Sequence, residues 1–220
     1  MTALAWLFLA AAAVAALANW YAVAGATRHG RLEFVAKPAT ILALIGVAET
    51  MTPDDTIVRA FVALALVLSL IGDVALMLPR ERFVGGLVAF LFAHLAYIVG
   101  LGILVARSGS IVGAVVGLVL VGLVVGSVGR RVFAAVGAQQ AGLLGPVVAY
   151  MAVISLMVVV AFATGRPLAM AGAALFYASD ATLAWNRFVE RRAWGRIAVI
   201  ATYHVGQALL VLSLASPLLS

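Results

Sequence analysis

Long apolar runs, broken by short polar turns, set the rhythm of this chain. Eight such runs lie at about 3–24, 33–50, 57–78, 83–106, 110–128, 142–164, 167–186 and 196–216. Each comes close to the roughly 20 residues that an α-helix needs to cross a bilayer. The breaks hold helix breakers or charges: GATRHGR at 25–31, TPDD at 52–55, PRER at 79–82, RSGS at 107–110 and TGRP at 164–167. The pattern predicts an all-α integral membrane protein, an eight-transmembrane-helix bundle with 1–220 as a single membrane domain. The first run is Ala-rich like a signal peptide. It lacks a basic leading region and its apolar stretch is too long, so it reads as a retained helix. In the fifth run Gly113, Gly117, Gly122 and Gly126 have the small-xxx-small spacing that favours close helix contact. The stretch after it, GRRVFAAVGAQQAG, reads as a short interfacial helix.

Composition supports the membrane assignment. Of the 220 residues 66% are hydrophobic and 10% charged, where soluble domains carry about 25% charged residues. Mean hydropathy is +1.21. A net charge of +6 raises the question of nucleic acid. The basic residues fall in short loops between apolar runs, however, so the bilayer is the expected partner and nucleic acid is not. The absence of cysteine removes disulfides, thiolate nucleophiles and Cys-ligated metals. Of the 14 lysines and arginines, Arg59, Arg107 and Arg166 alone belong to the loops after even-numbered runs. The remainder, among them Arg28, Arg31, Arg80, Arg130 and Arg191, cluster around the odd loops. The positive-inside rule then places the odd loops in the cytoplasm and both termini outside a cell (inner) membrane.

Against this background a few polar residues stand out. Asp73 interrupts SLIGDVALML and Asp180 interrupts LFYASDATLAW, at a cost of about 2.5–3.5 kcal/mol each on insertion scales. Asp73 lies five residues before the end of its run, roughly 7–8 Å deep at the helical rise. Asp180 lies six residues before Asn186. His94 and His204 sit two to three turns into the fourth and eighth runs, Lys37 one turn into the second, and Tyr150 two turns into the sixth. All occupy the same cytoplasmic half, which points to one polar chamber inside the bundle. Structural roles compete with this reading: an Asp that only ties helices together, a core His, or a Lys37 that snorkels beside Pro38 at a helix start. His29 and the arginines of RFVERR read as loop residues that set topology and contact phosphates.

The two Asp regions resemble each other. Each has an Asp, then a Phe eight to ten residues on, then a His 21 to 24 residues on. Two parallel four-helix repeats account for this, and so does chance similarity among apolar helices.

SLIGDVALML, FVGGLVAFLFAHLAY, GAALFYASDATLAWNRF and TYHVGQALLVLS, together with Lys37-Pro38, resemble the YhhN family of membrane lysoplasmalogenases. The resemblance covers nearly the whole chain. It implies an eight-helix membrane hydrolase that cleaves the vinyl ether of a lysophospholipid to a fatty aldehyde and a glycerophospho-alcohol. Such an ether hydrolyses by protonation at carbon, through an oxocarbenium ion that water captures. A general acid and a nearby negative group meet that need, as in glycosidases. Asp73 and Asp180 are therefore the expected catalytic residues. His94, His204, Tyr150 and Asn186 are the expected supporting or proton-relay groups. Lys37, Tyr97, Ser179, Tyr203 and Gln207 are the expected substrate-binding groups. No cofactor and no metal is expected, because a zinc hydrolase of the ceramidase kind normally needs three histidines and a carboxylate, and only His94 and His204 are intramembrane. A proton-coupled transporter or a lipid-binding membrane protein is the alternative. Oligomeric state is left open.

The arginine asymmetry gives a test. A C-terminal alkaline-phosphatase fusion is expected to be active and a C-terminal green-fluorescent fusion dark; the opposite result reverses the orientation.

Overall fold

The apolar runs fold into helices, and the starts of α1, α3 and α5 are fixed by side chains that cap free N–H groups. In the computed structural model residues 1–25, 30–53, 55–78 and 82–215 are described. Arg28, His29 and Arg80, used above to orient the chain, lie outside them. Helix α1 (Ala3–Ala24) begins at Thr2, whose hydroxyl accepts from the Ala5 N–H and donates to the Thr50 carbonyl at 2.7 Å. That second bond ties its start to the end of α2 (Gly30–Thr50). Asp55 caps α3 (Thr56–Met77) by accepting from the N–H groups of Ile57 and Val58. It also pairs with Arg107 near the end of α4 (Phe83–Ser108), closing that edge of the hairpin. Ser110 caps α5 (Ile111–Val124).

A π-helical turn at Val125–Gly129 carries α5 directly into α6 (Arg130–Gln139). The short helix expected after the fifth run is thus present as α6, but it continues α5 in one rod. Then follow α7 (Leu144–Ala163), α8 (Pro167–Phe188) and α9 (Gly195–Leu212). Between α7 and α8, Gly165 at φ +67° makes the left-handed turn that other residues adopt at a cost.

The helical segments fall where the apolar runs predict, with one correction to the reading of Pro38. It does not start α2 but lies inside it, eight residues after Gly30. There its ring leaves the carbonyl one turn earlier without an N–H partner. Six segments are long and apolar enough to cross a membrane: Ala3–Ala24, Thr56–Met77, Phe83–Ser108, Ile111–Gln139, Ala141–Ala163 and Gly195–Leu212. This makes the chain an all-helical multi-pass membrane protein. The expectation of eight spans meets six by length and composition, among the described residues. The other two, α2 and α8, are long enough at 21 and 22 residues. They are set apart by their charged side chains, Arg31, Glu33, Lys37 and Glu49 on α2 and Asp180 and Arg187 on α8.

Pairs α1–α2, α3–α4 and α8–α9 form hairpins, and α7 packs against α4, α5 and α8. Glycine sets the closest approaches. A Cβ on Gly172 would lie 2.9 Å from the Gly206 carbonyl and the Leu210 nitrogen, and one on Gly206 would lie 2.9 Å from the Gly172 carbonyl. Backbone therefore meets backbone where α8 crosses α9. Of the glycines in α5 and the turn after it, Gly113 and Gly117 do press against Phe162 and Val159 of α7, whereas Gly122 and Gly126 have open space beside them. The small-residue face is thus real over its first half only.

Replacing Gly172 with Val forces these two backbones apart, since neither contact is with a flexible side chain. The unfolding midpoint in mild detergent is expected to fall by the equivalent of about 1–3 kcal/mol, the usual cost of overpacking. Gly122→Val is the control and leaves it unchanged.

Candidate functional site

Six helices contribute to one cavity of about 110 Å³, situated at the end of the bundle where α4 begins and α8 ends. That is room for several waters. Its walls are mostly apolar, with Leu76, Phe83, Leu87, Val147, Ile154 and Phe188 among them. Its polar lining is Lys37, Asp73, Tyr150, Tyr177, Ser179, Asp180, Arg187 and Tyr203.

The two aspartates sit in different settings. Asp73, 1% exposed, accepts a bond from the Lys37 ammonium at 2.8 Å on one oxygen and from the Tyr203 hydroxyl at 2.8 Å on the other. An ion pair and a phenol thus satisfy a fully buried carboxylate, and they join α2, α3 and α9. Asp180 is 14% exposed. Its Oδ2 accepts from the Tyr150 hydroxyl of α7, and the His94 Nε2 of α4 lies 4.0 Å from the same oxygen. That is beyond a direct hydrogen bond and within reach of a bridging water. No Lys or Arg of the described residues lies within ion-pair distance of Asp180.

Aromatic rings separate the two sites. Phe176 lies between the Tyr203 ring at 5.2 Å and the His94 ring at 4.8 Å. Phe90 packs edge-on to both Phe176 and Tyr203, and Tyr150 stands edge-on to His94 at 5.3 Å. Rings at these spacings hold one another's orientation. His94 is completely buried, and neither ring nitrogen has a hydrogen-bond partner among the described residues.

The other residues singled out from the sequence divide clearly. Ser179 lines the cavity but spends its hydroxyl on the Val199 carbonyl at 2.9 Å. Tyr97 donates to Gln207 Oε1, and Gln207 Nε2 donates to Ser69 at 3.0 Å, forming a buried knot away from the cavity wall. His204 turns towards α1, where its Nδ1 accepts from the Trp20 indole at 3.2 Å. Asn186 lies at the α8–α9 turn, accepting from the Arg192 N–H at 3.1 Å. Of the polar lining residues, Tyr177 was not singled out, and Arg187, read with the other arginines of RFVERR as a loop residue, lies in the last turn of α8. Tyr177, bonded to Ser155 at 2.8 Å, lies three residues before Asp180 and Arg187 seven after it. The helical spacing of α8 was the signal for both. Among the described residues no three His, Asp or Glu side chains gather as a metal-binding group.

An all-helical multi-pass bundle with two carboxyl groups in one internal, largely apolar cavity defines the class. Within it, residues 32–214 match the YhhN family, and the chain belongs to that family. It is similar to the lysoplasmalogenase TMEM86B of Mus musculus, 34% identical over 149 residues that make up 68% of this chain and 61% of that protein. The lysoplasmalogenase TMEM86B of Homo sapiens is 29% identical over 173 residues, 79% of this chain and 71% of that one. The chain thus spans about three fifths of the length of the mouse relative. No solved structure matches it.

Removing Lys37 tests the Asp73 pair. Lys37→Met leaves a buried carboxylate without its cation, and a loss of about 3 kcal/mol in unfolding free energy is expected. Adding Asp73→Asn to the same chain should restore most of it. A single variant as stable as the parent shows the pair to be dispensable.

Proposed function

We propose that the chain hydrolyses the vinyl ether of a lysoplasmalogen-type lysophospholipid, releasing a fatty aldehyde and a glycerophospho-alcohol, with Asp180 as general acid. The observation that carries the assignment is the difference between the two carboxyl groups: Asp73 has a cation at 2.8 Å and Asp180 has neutral partners. In a desolvated cavity two carboxyls do not both ionise without compensation. Lys37 supplies that compensation to Asp73 alone, so Asp180 holds the proton. Tyr150 occupies Oδ2 of Asp180, which leaves Oδ1 to carry it towards the substrate.

The steps balance. Asp180 gives its proton to the β-carbon of the vinyl ether, the double bond shifts, and an oxocarbenium ion forms. The Asp180 carboxylate now offsets that positive charge, with Asp73 as a second, fixed negative group. A water, oriented by His94 across its 4.0 Å gap to Asp180, adds to the cation and returns a proton to Asp180. The hemiacetal collapses to aldehyde and alcohol. No group other than water is consumed. Similarity to the lysoplasmalogenases of mouse and human supports the substrate class.

In this reading α2 and α8 also cross the bilayer, completing eight spans with the cavity open to the cytoplasm of a cell membrane. Short connections on either side leave little chain for any other path.

Asp180→Asn and Asp73→Asn are each expected to cut turnover by about 10²–10⁴-fold, the usual worth of general acid catalysis, while the protein stays folded. In D₂O the reaction should slow and the aldehyde should carry deuterium next to its carbonyl. EDTA should leave the rate unchanged. Wild-type turnover in either Asn variant, or aldehyde without deuterium before exchange sets in, would overturn the two-carboxylate mechanism.

A further inference from the structure

Helices α2 and α9, which line the catalytic cavity, also enclose a second one with α1, of about 270 Å³. Ala12, Ala13 and Ala16 of α1 and Ala208 of α9 leave its space open, and no charged side chain of the described residues lines it. Its α1 wall runs from Leu9 to Trp20, about 16 Å of helix. That is the length of a chain of about twelve carbons at ordinary bond lengths. The polar residues lie together at one end. Trp20, Thr40 and His204 are the lining residues nearest the end of α1 and the starts of α2 and α9, where Arg196 and Glu33 bond at 2.9 Å. Leu9, Leu44 and Leu209 lie farthest from it. The cavity is thus polar at one end and hydrocarbon along the rest.

Two of the three polar groups are spent. Thr40 gives its hydroxyl proton to the Ala36 carbonyl at 2.9 Å, and Trp20 gives its indole N–H to His204 Nδ1 at 3.2 Å. An indole only donates, so Nδ1 is the accepting nitrogen and the neutral ring carries its proton on Nε2. His204 is 2% exposed, and its Nε2 has no partner among the described residues. A buried donor left without an acceptor is costly, and apolar walls supply none. The missing partner is therefore a ligand with one neutral acceptor at the end of a hydrocarbon chain. We propose that this cavity binds a long-chain fatty aldehyde, with its carbonyl oxygen on the His204 Nε2–H and its chain along α1. The choice of aldehyde rests on the vinyl-ether reading, whose product has this chemistry. A carboxylate or phosphate would need a cation that the lining lacks, and a diacyl lipid brings a second chain. Thr40 lies one turn from Lys37, and His204 follows Tyr203, so the polar end stands beside the cavity where the aldehyde forms.

Photolabelling of the full-length protein in phosphatidylcholine nanodiscs decides the matter without turnover. The probe is 2-pentadecanone with a mid-chain diazirine, a ketone that keeps the acceptor and reacts less readily with amines than an aldehyde does. Pentadecane with the same diazirine is the comparison. Mass spectrometry is expected to find saturable ketone labelling on the Leu9–Trp20 stretch of α1 and on α9 after His204, and only unsaturable labelling by the alkane. Ala208→Leu fills the cavity and abolishes the saturable labelling; Ala13→Leu on the opposite wall serves if that variant does not fold. His204→Phe keeps a ring and removes the donor. It should raise the ketone concentration for half-saturation about 3- to 10-fold, the worth of a neutral hydrogen bond, and leave the alkane pattern as it was. Equal labelling by ketone and alkane means that bilayer hydrocarbon fills the cavity, and overturns the proposal. So does saturable labelling that survives the filling variants, or a half-saturation indifferent to His204→Phe. If the wild type is labelled as expected yet releases no aldehyde from lysoplasmalogen, the hydrolase reading fails and the site stands as one for a neutral single-chain lipid.

Discussion

Inside a bilayer a side-chain polar group has no water to fall back on, and its partner has to come from another helix. That constraint organises this bundle. Lys37–Asp73–Tyr203 joins α2, α3 and α9, and Tyr150–Asp180 joins α7 to α8. Tyr97–Gln207–Ser69 joins α4, α9 and α3, and Trp20–His204 ties α1 to α9. All but Tyr150–Asp180, which joins consecutive helices, reach helices distant in sequence. Interhelical hydrogen bonds in membranes are worth only about 0.6 kcal/mol on average, so these links fix register more than they add stability. Packing supplies the attraction, and its tightest point is the backbone contact of Gly172 with Gly206.

How much of this was legible in the sequence follows from what each signal encodes. The helices were legible because apolar run length is a one-dimensional property, and the runs survive as helices almost residue for residue. Depth was legible in part, since 1.5 Å per residue converts position into height: of the six groups placed at one level, Lys37, Asp73, Tyr150 and Asp180 line one cavity, and His94 and His204 do not. Azimuth was not legible. Tyr203 and His204 are neighbours at nearly the same depth, yet about 100° of helical rotation sends one to Asp73 and the other to Trp20. The same rotation takes Tyr97 and Gln207 to each other. Asn186 was misplaced for a different reason. It lies where α8 gives way to its turn, and a side-chain amide there accepts from the turn backbone instead of facing inwards.

The two Asp-bearing hairpins, α3–α4 and α8–α9, show an exchange that sequence similarity alone does not reveal. Asp73 of α3 is met by Tyr203 of α9, and Asp180 of α8 is faced by His94 of α4. In each case the first helix of one hairpin carries the carboxyl group, and the second helix of the other hairpin carries its aromatic or imidazole partner. The exchange is not symmetric in chemistry. A phenol at hydrogen-bond distance and a lysine complete the first site, while a more distant imidazole and the phenol of α7 complete the second.

That asymmetry explains where the bundle admits charge. The two helices that miss the criterion for crossing a membrane, α2 and α8, are the ones that bring Lys37, Asp180 and Arg187 to the cavity. A hydrocarbon-facing helix gains from every apolar residue, whereas a helix enclosed by neighbours can carry charge provided its partners are preformed. Both sit against neighbouring helices, α2 beside α1, α3 and α9, and α8 beside α7 and α9. Exposed Leu and Val side chains are instead frequent on α5, where Ile111, Val112, Leu118 and Leu123 face outwards. The chain therefore separates two duties. Helix α5 meets the lipid over most of its surface, whereas α2 turns Leu32, Phe34, Val35 and Leu42 outwards and its Lys37 inwards to the pair that distinguishes one aspartate from the other. Because the exchange across the two hairpins depends on how α3–α4 stands against α8–α9, small changes in packing at Phe90 and Phe176 act on both carboxyl groups at once.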